Sequence, residues 1–66
     1  MAKRNNIWVG PHKDGWQVKK EGNEKPSRVV LTQKEAIDIG KIQAKNNKSE
    51  LIIQRGNGQI RERNSY

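Results

Sequence analysis

The chain has one histidine, His12, three serines, Ser27, Ser49 and Ser65, and no cysteine. A serine becomes a nucleophile only beside a base that a third group orients, and none of the three has a histidine and acid close by in the chain. His12 has no paired carboxylate to make it an acid or base, and Asp14 beside Gly15 is explained by turn chemistry. One histidine without cysteine cannot supply a multi-histidine or thiolate metal site. Gly56-Asn57-Gly58 is not followed by a helix whose N-terminus would cradle phosphate, so it reads as a turn. From this set no enzyme, no metal and no cofactor are expected. What remains is binding chemistry. Fourteen Lys and Arg against seven Asp and Glu give a net charge of +7, and the chain has two tryptophans. Cations interleaved with an aromatic suit phosphate contacts and base stacking.

Such side chains need elements to position them. From Ile7 the pattern alternates, and Asp14-Gly15 signals a two-residue hairpin before Trp16 to Lys19. With that turn Val9 pairs with Lys20 and Trp8 with Glu21. Ile7, Val9, Trp16 and Val18 then share one face, and Trp8, His12, Gln17 and Lys19 the other. Residues 22–27 form a loop, and Arg28 to Leu31 a short strand. Thr32-Gln33-Lys34-Glu35 is a capping box. It opens a helix over about 33–46 whose apolar stripe is Ala36, Ile37, Ile39, Gly40 and Ala44. Lys34, Lys41 and Lys45, interrupted by Asp38, form its solvated face. Gly40 inside the stripe costs about 1 kcal/mol in propensity, which close approach of a bulky side chain would offset, with Trp16 the expected neighbour. Glu50 to Arg55 and Gln59 to Arg63 form a second hairpin around a type I′ Asn57-Gly58 turn. In that register Leu51, Ile53 and Ile60 face the helix, while Gln54, Arg61 and Arg63 face away. The expected fold is α+β: one small domain over 6–66 with residues 1–5 frayed, and an antiparallel sheet in the order β-β-β-α-β-β carrying one amphipathic helix on one face.

Length and apolar content set bounds. Sixty-six residues, of which 13 are Leu, Ile or Val, make at most one small domain and leave no space for a large enclosed active site. The longest apolar run, Leu51 to Ile53, cannot span a bilayer, and Asn5-Asn6 interrupts any signal-peptide reading of the basic start. A cytoplasmic location and no membrane partner are expected.

The uncovered sheet face gathers Trp8, His12, Gln17, Lys19, Arg28, Val30, Ile52, Gln54, Arg61 and Arg63, with Glu21 as the one acid expected nearby. A non-enzymatic module docking this face on nucleic acid, DNA ahead of RNA, is the leading expectation. Lys19, Arg28, Arg61 and Arg63 would meet phosphates and Trp8 would stack or wedge. About four neutralised phosphates give a log-log salt slope near −3 to −4. The alternative is a protein-interaction or homodimerising module, a small modulator of the phage type, with Trp8, Val30 and Ile52 as its apolar centre and the arginines as its rim.

Four segments carry a resemblance. They are Trp8-Val9-Gly10-Pro11-His12-Lys13-Asp14-Gly15-Trp16-Gln17-Val18-Lys19, Thr32-Gln33-Lys34-Glu35-Ala36-Ile37 with Glu50-Leu51-Ile52-Ile53, and the ending Gly58-Gln59-Ile60-Arg61-Glu62-Arg63-Asn64-Ser65-Tyr66. Over about 7–66 the chain resembles the small bacterial and phage proteins of the domain-of-unknown-function 2188 family. That resemblance implies no activity and no catalytic residues. The Gly15-Trp16 hairpin, third strand and Thr32-x-x-Glu35-Ala36 helix start are also similar to the arm-binding domains of phage tyrosine recombinases. Those lay a three-stranded sheet into the DNA major groove, so the likeness implies DNA contact through the same face. The carboxy-terminal hairpin is an addition to that pattern, placed to widen the sheet or to block it.

Overall fold

A computed structural model describes residues 5–66. Of the amino-terminal stretch expected to fray, residues 1–4 lie outside the described residues. Asn5 has no regular structure, and its carbonyl accepts from Asn47 Nδ2 at 2.7 Å.

Six elements follow the expected order: β1 (Ile7–His12), β2 (Gly15–Lys20), β3 (Arg28–Val30), α1 (Gln33–Asn47), β4 (Glu50–Gln54) and β5 (Ile60–Ser65). The five strands form one continuous sheet, in the spatial order β3-β2-β1-β4-β5. It is mixed, and the expectation of a purely antiparallel sheet fails at its centre, where β1 runs parallel to β4 through Ile7↔Leu51, Trp8↔Ile52 and Val9↔Ile53. The reason is the crossover. Two antiparallel steps leave β3 parallel to β1. The helix then carries the chain back over the sheet, so the strand after it starts from the same end. The carboxy-terminal hairpin therefore widens the sheet beside β1.

Capping fixes where the helix starts. Thr32 sits in extended conformation (φ −125°, ψ 152°), and its hydroxyl accepts from the Glu35 amide at 3.2 Å. At the other end Lys48 takes a left-handed conformation (φ 51°, ψ 49°), and the Ser49 amide closes on the Ala44 carbonyl at 3.0 Å. The helix buries a small-residue row, Ala36, Gly40 and Ala44, at i, i+4 spacing. With Ile7, Val9, Val18, Leu51 and Ile53 this row forms the core, and Trp16, Val30, Ile37 and Ile39 pack around it. Close approach at Gly40 is real, but its neighbours are Leu51 and Val9. A Cβ there would lie 2.8 Å from Leu51 Cδ1 and 3.0 Å from Val9 Cγ2, and Trp16 is not among the nearest atoms.

Both hairpins turn differently from expectation. In the first, His12 pairs with Gly15 and Val9 with Val18, so the turn is Lys13-Asp14, and Gly15 (φ 138°) opens β2. Each partner has moved by two positions, which preserves every face. In the second hairpin Asn57 is not at positive φ, as a type I′ turn requires, and Gly58 alone is (φ 89°). Gly58 N–H closes on the Arg55 carbonyl at 2.9 Å, and Arg55 N–H on the Gln59 carbonyl at 2.6 Å.

A candidate nucleic-acid interface on the uncovered sheet face

Registers between neighbouring strands fix which residues lie side by side on the face without the helix. The middle row crosses four strands: Lys19 on β2, Trp8 on β1, Ile52 on β4 and Arg63 on β5. On one side of it runs an amide-rich row, in which Val29 pairs with Gln17, Gln17 with Gly10, and Gln54 with Ile60. The Gln54 side chain lies directly over Gly10, so those two segments of the row meet. On the other side Asn6 ties two acids together. Its carbonyl accepts from Glu21 N–H at 2.8 Å, and its Oδ1 accepts from Glu50 N–H at 3.2 Å.

Trp8 is half-buried. Ile52 is 1% exposed although no helix covers its side, and it lies outside the main core cluster. Its row neighbours are the half-buried Trp8 and the exposed Arg63. Trp8, Gly10, Gln17, Lys19 and Gln54 line a shallow depression of about 400 Å³, rimmed by residues 21–23.

Of the five expected contact residues, Trp8, Lys19 and Arg63 share this face and two do not. Arg28 pairs with Val18, and Val30 with Trp16, so both belong to the helix-covered side. Ser27 pins that register, since its N–H and hydroxyl both donate to the Val18 carbonyl, at 2.8 and 2.9 Å. Arg61 falls at a register shift. Ile53 pairs with Glu62 and Gln54 with Ile60, which leaves Arg61 as the extra residue of a bulge. Its guanidinium donates to Gln33 Oε1 on the first turn of the helix at 3.1 Å. Gln33 Nε2 in turn donates to the Gln54 carbonyl at 3.0 Å. Ile60, expected beneath the helix, pairs with Gln54 instead and is 48% exposed.

The apolar centre expected for a protein-binding surface does not assemble on one face. Val30 packs on the core from the helix side, and Ile52 is already covered within the chain. His12 is used locally, its Nδ1 accepting from the Asp14 amide at 3.1 Å. Among the described residues no group of three or more His, Cys, Asp or Glu is placed to hold a metal.

Sequence reasoning overlooked Gly10 and Glu50. A glycine in a strand interior signals close approach of another group, and here that group is Gln54. Alternation with Ile52 and Gln54 puts Glu50 on this face, but its place beside Asn6 comes from the parallel pairing of β4 with β1, which no short-range pattern carries.

Among the described residues no helix is long and apolar enough to cross a membrane. No curated protein and no solved structure matches the chain, so its likeness to recombinase arm-binding domains gains no support. The family model for uncharacterised proteins conserved in bacteria, DUF2188, matches residues 7–66. With nearly its whole length covered, the chain belongs to the DUF2188 family.

Proposed function

We propose that the protein is a non-enzymatic module that binds nucleic acid across its uncovered sheet face. The observation that carries this reading is the row Lys19–Trp8–Ile52–Arg63, an aromatic flanked by two cations on a rigid sheet. Three inter-strand steps separate Lys19 from Arg63, about 14 Å, which leaves Trp8 between two phosphate-binding points. Glu21 and Glu50 are gathered on one side of that row around Asn6, so the cations stand between acids and amides and define a direction for a polyanion. The exposed aliphatic side chains on this face, Val29 (42% exposed) and Ile60 (48% exposed), stand at opposite edges of the sheet, with the half-buried Trp8 indole alone between them. That division favours a polar ligand over an apolar protein partner.

With Arg28 and Arg61 elsewhere, the salt dependence expected from composition is revised downward. Two neutralised phosphates give a log-log slope of about −1.4 on a single strand and about −1.8 on a duplex. Fluorescence titration of a labelled oligonucleotide at several salt concentrations measures it. Lys19→Gln and Arg63→Gln should each reduce the slope by about 0.7 to 0.9, and Arg28→Gln should leave it unchanged. Equal binding by wild type, Lys19→Gln and Arg63→Gln would overturn the assignment.

A further inference from the structure

We infer that the depression over Gly10 receives one unpaired nucleobase and that the Gln54 side-chain carbonyl accepts a hydrogen bond from it, an inference that rests on the nucleic-acid reading above. Gly10 lies between two glutamines, Gln17 on β2 and Gln54 on β4, and beside Trp8 and Lys19 in the same depression. Having no side chain, it leaves a gap in an otherwise furnished row. Gln54 is oriented in that gap. Its Nε2 donates to the Gly58 carbonyl at 3.0 Å, and since a carbonyl can only accept, this bond settles which end of the amide is nitrogen. Oε1 is thereby turned over Gly10, where any Cβ would collide with it. The arrangement is a fixed acceptor beside an indole, flanked by the Lys19 ammonium. A planar heterocycle with an edge N–H satisfies both groups at once, and a phosphate, with neither a donor nor a stacking face, does not. Only a base outside a duplex stack can lie against Trp8, so the ligand is single-stranded.

The Gly58 carbonyl gives the second hairpin a role in this site. Its turn holds the amide whose other end faces the ligand. Gly10→Ala should displace the flexible end of Gln54 while adding strand propensity and altering no charge.

The test compares oligothymidylate with the same strand carrying N3-methylthymine, in which the one N–H of the base is replaced and the backbone charge is unchanged. Wild type should bind the methylated strand about three- to tenfold more weakly, the range of a single hydrogen bond. Gln54→Leu and Gly10→Ala should bind the two strands equally. Annealing the plain strand to its complement should weaken wild-type binding at least threefold. Equal wild-type affinity for the two strands, discrimination retained by both variants, or a duplex bound as well as the single strand would each overturn the inference. If binding remains salt-dependent in those cases, the nucleic-acid reading survives without it. Absence of salt-dependent binding to every strand overturns both.

Discussion

The two hairpins carry similar turn signals, Asp14-Gly15 and Asn57-Gly58, yet their glycines serve different ends. Gly15 is wedged in the sheet. A Cβ there would strike the Val30 carbonyl of β3, so the position needs an absent side chain as well as positive φ. Gly58 has open space around it and needs only its φ of 89°. One glycine allows strands to approach, and the other allows a chain to reverse. The consequence for the face is also different. The first hairpin slips by two positions and keeps Trp8 and Lys19 together. The second is shifted by one at its turn and back by one at Arg61, so Arg63 returns to the expected register and Arg61 does not.

Substitutions at these glycines rank the difference. Gly15→Ala combines backbone overlap with a strained φ and should cost about 3 to 4 kcal/mol in urea unfolding. That is a large part of what a domain this size has, and the cooperative transition should weaken or vanish. Gly58→Ala meets only the left-handed penalty and should cost about 1 to 2 kcal/mol, with the denaturant slope unchanged. Gly56→Ala, with no neighbour within 4 Å and no positive φ, should fall within about 0.5 kcal/mol of wild type. If Gly58→Ala costs as much as Gly15→Ala, the contrast between the two turns is wrong. If Gly15→Ala is mild, β3 does not press on the first hairpin.

Element types and the helix boundaries were legible because their causes are local: alternation at Ile7 to Val9, the Thr32 and Glu35 cap, and the small-residue stripe through Gly40. The face of Trp8 and Lys19 was legible because a two-residue slip leaves side-chain parity intact. Arg28 was not, because its face depends on how β3 registers on β2 after a loop, and that register is fixed by Ser27 reaching Val18. Arg61 was not, because a bulge leaves no mark in an alternating Ile-Arg-Glu-Arg segment. The parallel pairing of β1 with β4 was beyond any short window, and with it went the Glu50 contact to Asn6 and the burial of Ile52.

That central pairing also dictates the order in which the molecule can assemble. Ile7 meets Leu51 across most of the chain's length, so the first hairpin has no partner for its inner edge until the helix has formed and the fourth strand has been delivered. A nascent polypeptide would hold that inner edge of β1 exposed throughout the interval, and cooperative closure would wait for the fourth strand to be made.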